Sequence, residues 1–172
     1  TVASIQGRRK KAKRYFSEAM KMADELSSPM HWVQTAFRQW ELGLESTADA
    51  SEIKKLEDII EVAQAKGARD LHEYGLMLLS AIQFIMGQHE QSFDTSVKLE
   101  KLGVEREHPR AVAYGKLGKA RIHSARLDVV PAFKEAESVL KMPELLQEPI
   151  FQLRAEVWRL HALYTRGKFD LC

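Results

Sequence analysis

Asparagine is absent from this chain, and 172 residues hold only nine glycines and five prolines. A chain so poor in turn formers makes few tight turns, so long regular elements are expected and a β-sandwich or barrel is disfavoured. Without asparagine there is no N-glycosylation acceptor. The single cysteine, Cys172, excludes an internal disulfide framework and points to a reducing, intracellular compartment. No stretch of about 18 apolar residues occurs, so neither a membrane span nor a membrane partner is expected. The net charge of +2 is too small to imply a nucleic-acid partner by itself. What remains is 45% hydrophobic and 29% charged residues, enough to bury a core without disulfides or metals. One domain spanning 1–172 is expected.

An internal repeat organises the chain. Pro29, Pro109 and Pro149 fall on one 40-residue grid, with Arg69 at the vacant step. Proline suits the first turn of a helix, where its missing N–H costs nothing, so helices should begin near 29, 69, 109 and 149. Gly7, Thr47, Gly87, Leu127 and Gly167 form a second 40-residue grid. Helix ends are expected there, because glycine tolerates the left-handed conformation that closes a helix. Apolar residues step by three and four between these marks, as in Ala12, Phe16, Ala19, Ala23, Leu26 and in Val33, Phe37, Trp40, Leu44. Columns 40 residues apart agree: Phe37, Met77, Leu117 and Val157 are apolar, and Thr35, Gly75, Gly115 and Ala155 are small. The reading is an all-α chain of about eight helices near 4–26, 29–46, 49–66, 69–86, 89–102, 109–126, 129–141 and 147–166. The longest link is placed at Gly103–His108. Helix pairs of this kind stack into a solenoid, each unit packing on its neighbours.

The local turns resemble those of tetratricopeptide repeats. Leu163-Tyr164-Thr165-Arg166-Gly167-Lys168-Phe169-Asp170 looks like that family's turn, with a glycine after the first helix and an aromatic residue opening the second. Met86-Gly87-Gln88-His89 is a weaker instance, and at Leu127 the glycine is missing. The period is 40 rather than the family's usual 34, nearer to HEAT and armadillo repeats. Elongated variants resemble those in bacterial MalT-like regulators and in eukaryotic scaffold subunits. The resemblance implies a right-handed superhelix of antiparallel helix pairs, approximately 29–66, 69–102, 109–141 and an incomplete 147–172, preceded by helix 4–26. It also implies a protein–protein interaction scaffold whose first helices line a concave face. The alternative it leaves open is a ligand- or partner-responsive regulatory domain of a larger signalling or transcription-regulator protein.

Catalytic and cofactor signatures are lacking. There is no phosphate loop and no His-Glu-x-x-His helix, no serine sits in a nucleophile elbow, and the six histidines lack helix-borne metal-ligand spacing. Neither enzyme activity, nor a cofactor, nor a metal is expected. Gly115-Lys116-Leu117-Gly118-Lys119 could suggest a phosphate contact, but it lies inside an apolar helical pattern and reads as close helix packing. The strongest charge feature is Arg8, Arg9, Lys10, Lys11, Lys13 and Arg14, six positive charges in seven residues. It reads first as a solvated helix face. A patch for an acidic partner or a preceding repeat and a nuclear-import signal are its alternatives, with a cytoplasmic location preferred to a nuclear one.

Beside the core stripe 33/37/40/44 runs the stripe 34/38/41/45. Along the repeats it carries Arg38, Tyr74, Tyr114, Arg121, Arg154, Trp158 and His161, rich in the residue types that anchor partners. A peptide or helix of a partner protein, acidic by charge, is the expected ligand. The last helix has no successor, so the chain is expected to be a piece of a longer solenoid. Phe151, Val157 and Leu163 are expected on an open flank prone to self-association. Far-UV circular dichroism should show helix far above the usual third of residues, and a substantial β signal would contradict the 40-residue grid.

Overall fold

The computed structural model describes residues 2–41, 50–165 and 167. The chain divides into two compact units, Thr1–Ile85 and Met86–Cys172. The first holds α1 (Val2–Glu25), α2 (Pro29–Glu41), α3 (Ala50–Ala65) and α4 (Arg69–Ile85). The second holds α5 (His89–Glu105), α6 (Pro109–Ala125), α7 (Val129–Leu140), a 3-10 turn (Pro143–Leu145) and α8 (Pro149–Thr165). Among the described residues there is no strand.

Four helices begin at the positions that the proline grid marks, 29, 69, 109 and 149. Proline stands first in three of them, where the N–H it lacks has no intrahelical acceptor. The links obey a finer rule than a 40-residue period. The backbone enters the left-handed region at Ser27, Gly67, Gly87, Glu107, Leu127 and Gly167, with φ between 49° and 76°. These positions are multiples of 20 apart, so each repeat is two 20-residue steps. At four of them a Schellman pair of hydrogen bonds closes the helix. Ser28 N donates to Ala23 O, Ala68 N to Ala63 O, His108 N to Gly103 O and Asp128 N to His123 O, all at 2.8–2.9 Å. The carbonyl of that same residue then accepts the first bond of the next helix, as Ser28 O does from Trp32 N at 3.1 Å. One residue therefore ends one helix and opens another.

Several expectations are corrected. Gly7 lies inside α1, so no helix ends there. Thr47, Trp40's side chain, Leu44 and the segment 168–172, including Phe169 and Asp170, lie outside the described residues. The link expected at Gly103–His108 is shorter, because α5 runs on to Glu105. Gly103 serves packing instead: a Cβ there would stand 2.6 Å from Val112 N and 2.9 Å from Ala111 Cβ. Gly75 and Gly115 do the same in the small column. A Cβ on Gly115 would meet the Glu100 backbone N at 2.7 Å, so α5 and α6 approach closer than any larger residue permits. That confirms Gly115 as a packing residue.

In unit 1, α1 packs on α2, α2 on α4 and α3 on α4. Val33, Phe37, Leu56, Met77 and Leu78 form its interior. In unit 2, α6 is central, packed by α5, α7 and α8. Its core joins Ala113 and Leu117 of α6, Val139, Leu145, and Phe151 and Ala155 of α8. The column 37/77/117 is buried as expected, but Val157 breaks it at 51% exposed. Phe151 and Leu163, expected on an open flank, are buried at 1% and 9% exposed. The 3-10 turn explains Phe151: it folds Leu145 into the same cluster and seats the start of α8 on it.

Phe37 is 2% exposed and meets Tyr74 edge to face at 6.3 Å. Phe37→Ala is expected to cost roughly 3–5 kcal/mol, as large core truncations do, measured by urea unfolding. A loss below about 1 kcal/mol would place the core on another face.

Candidate functional site

The sequence-marked residues gather in two places, one in each unit. In unit 1 a cleft of about 440 Å³ is lined by Tyr15, Phe16 and Ala19 of α1, Gln34, Thr35, Phe37 and Arg38 of α2, and Tyr74 of α4. Its floor is aromatic, since Phe37 and Tyr74 stand edge to face. Thr35 occupies the column that is glycine in α4 and α6. Where Gly75 and Gly115 let a neighbouring helix press close, Thr35 carries a β-branched side chain and borders the cleft.

Two cations of the basic run reach the same place. Arg8, Lys10, Lys11, Lys13 and Arg14 are exposed on α1, as a solvated face requires; the side chain of Arg9 lies outside the described residues. Lys11 Nζ and Arg14 Cζ lie 5.7 and 5.4 Å from the ring centre of Tyr15, a cleft residue. Arg14 Nε is 3.4 Å from Glu18 one turn on. Sequence spacing kept this run apart from Arg38 and Tyr74, which lie on other helices. Tyr15, adjoining the run, was the available signal.

In unit 2, α6 and α8 bring together Tyr114, Arg121, Arg154, Trp158 and His161. Tyr114 meets Phe151 edge to face at 4.8 Å, and Arg154 Cζ lies 5.6 Å from the Tyr114 ring centre. Trp158 packs half-buried against the core cluster and meets His161 at 6.0 Å. Ser124 Oγ and His161 Nδ1 are 3.1 Å apart, tying α6 to α8. Arg121 is half-buried. Its Nε is buried, and burial first, then the charge of Arg154, pushes its pKa down to about 10. It stays cationic at neutral pH. The stripe is also interrupted elsewhere: Leu78, Ala81 and Gly118 are buried, so between its ends it belongs to the core.

The lysines of Gly115–Lys119 are engaged within the unit. Lys119 Nζ donates to Glu100 of α5 and Glu135 of α7, both at 2.6 Å. Lys116 Nζ stands 3.1 Å from Glu100 and 3.8 Å from Glu135. Burial would raise the Glu100 carboxyl, but hydrogen bonds from Lys119 and Lys116, aided by their charges, hold it below its ordinary value. Burial would likewise lower Lys119, and the two carboxylates hold it above its usual value. The cluster clamps α5 and α7 onto α6 and leaves its lysines neutralised, which answers the suggestion of a phosphate contact. Among the described residues no three His, Cys, Asp or Glu side chains come together as a metal site needs, and no helix is long and apolar enough to cross a membrane.

No protein-family model, no curated protein and no solved structure matches this chain.

Glu100→Gln is expected to lower stability at neutral pH by about 1–2 kcal/mol, the scale of a half-exposed charged hydrogen bond. Because its folded pKa is depressed, the wild-type contribution is complete above 4.5 and fades as pH falls through the lower folded value. Urea unfolding should show the two proteins converging in acid. A gap that persists there would mean that the carboxylate charge is not what holds the clamp.

Proposed function

We propose that this chain is a protein-interaction scaffold of the tetratricopeptide-like kind, a right-handed array of antiparallel helix pairs that holds a peptide or helix of a partner protein. The receiving faces are those of α2, α4, α6 and α8, whose common register comes from positions 29, 69, 109 and 149. The observation that carries this reading is the meeting of Tyr114, Arg154, Trp158 and His161 on α6 and α8. These are anchoring residue types, each with a fixed neighbour and part of its surface in solvent. Their rings are held by the core beneath them, so little side-chain freedom is lost when a partner docks. Arg121 is half-buried, with its Nε enclosed. Its charge adds to that of Arg154 from below and favours an acidic ligand.

The test is capture of partners by the purified chain, identification by mass spectrometry, and titration of what is captured. Trp158→Ala and Arg154→Glu are each expected to weaken binding by roughly tenfold or more, the scale of an interface anchor, with an unchanged circular dichroism spectrum. Arg121→Glu is not a surface test, because it would place a carboxylate in a buried setting and strain the fold. Unchanged affinity in both surface variants would remove the α6/α8 face from the proposed function.

A further inference from the structure

We propose that the cleft of unit 1 docks an acidic protein segment through one aromatic or large aliphatic anchor. The site rests on, and gives partner chemistry to, the interaction role above. Its volume of about 440 Å³ lies in the range of pockets that bury an organic group. The floor is Phe16, Phe37 and Tyr74, apolar enough to take a large side chain. Arg38 lines the cleft, and Lys11 and Arg14 stand over the ring of Tyr15, another lining residue. The run that supplies these cations holds six positive charges, while the whole chain nets +2, so the remaining residues net −4. The positive field is thus concentrated at this one helix, and charge complementarity selects an anionic occupant.

The aromatic geometry selects protein over nucleic acid. Single strands bind on aromatic faces open for base stacking. Here the Tyr15 ring already carries Lys11 and Arg14, and Tyr74 is set edge-on against Phe37. The cations stand around a depression rather than along a stacking platform. An acidic segment with a single anchor satisfies both features at once.

The experiment uses fluorescence anisotropy with the full chain and a synthetic peptide of Glu and Asp bearing one central Trp. Comparison probes are the same peptide without Trp, a Lys-rich counterpart, and a single-stranded oligonucleotide of equal charge. The acidic Trp peptide should bind, and added salt should weaken it. Removing its Trp should raise Kd by roughly tenfold, as losing an anchor does. Lys11→Glu combined with Arg14→Glu alters only exposed side chains and should raise Kd by roughly tenfold or more. Ala19→Trp, which fills the cleft, should do likewise, while Arg154→Glu in unit 2 should have no effect. The proposal is overturned if the Trp-free peptide binds equally, if the oligonucleotide binds more tightly, or if neither cleft variant changes Kd. It also fails if analytical ultracentrifugation shows the chain self-associating and Ala19→Trp abolishing that association, which would make a second copy the occupant. Loss of probe binding in Arg154→Glu alone would sink the cleft site and leave the scaffold reading intact. Conversely, probe docking that depends on Lys11, Arg14 and Ala19 would uphold the cleft even if partner capture through α6 and α8 failed.

Discussion

The fold depends on a three-residue link that carries one left-handed residue. Each link must end a helix, reverse its unsatisfied carbonyls onto nearby N–H groups, and present a carbonyl to the next helix. The conformation costs about 1–2 kcal/mol for a residue with a Cβ. It is nevertheless adopted by Ser27, Glu107 and Leu127 as well as by Gly67, Gly87 and Gly167. Two backbone hydrogen bonds and the burial of the flanking helices offset that cost, as at Leu127 N to Ser124 O and Asp128 N to His123 O. Because the link has constant length, α4, α5 and α6 are each 17 residues long. The 40-residue register of buried columns follows from this constancy.

Within unit 2, the second determinant is how near the helices can come. Gly103 and Gly115 let the backbones of α5 and α6 approach each other closely, and Ala113, Ala120, Ala132 and Ala136 keep the neighbouring surfaces small and buried. Close approach brings the half-buried Lys116 and Lys119 within reach of carboxylates on both flanking helices. The ionic clamp is therefore a consequence of the small-residue packing, and it is directional: one central helix donates, and two outer helices accept. In unit 1 the small column carries Gly75 on α4 but Thr35 on α2, and the cleft beside Thr35 is lined by aromatic rings and Arg38.

Charge is divided to match. In unit 2, Lys116, Lys119 and Arg126 each stand beside a glutamate, Arg126 Nη2 donating to Glu90 at 2.6 Å. In unit 1 the basic run of α1 faces solvent, with Glu18 beside Arg14. Lys55 pairs with Asp24 and lies 4.5 Å from the ring centre of Trp32, so this cation also has a structural use. The cations around Tyr15 are distinguished by where they stand, at the edge of an aromatic depression.

The amino-acid sequence by itself determined that the chain is helical, where its helices begin, and which columns are buried. Those properties follow from local chemistry, proline at a first turn and apolar residues every three or four positions, and Phe37, Met77 and Leu117 report them faithfully. The links at Gly87, Leu127 and Gly167 were legible too, from the 40-residue grid, whereas Gly7 on that grid lies inside α1. Ser27 and Glu107 carry no such mark, because their conformation is imposed by the packing of the helices on either side. The candidate sites were legible as residue types and not as places. Arg121 and Arg154 share one sequence stripe and are both half-buried, yet one has its Nε enclosed and the other lies over Tyr114, since helix crossing rather than spacing decides which side of a stripe meets a neighbour. The cleft was legible in its residues, Arg38 and Tyr74, but not as a place: Tyr15, Arg38 and Tyr74 stand on three helices, and only tertiary packing brings side chains so distant in sequence to one depression.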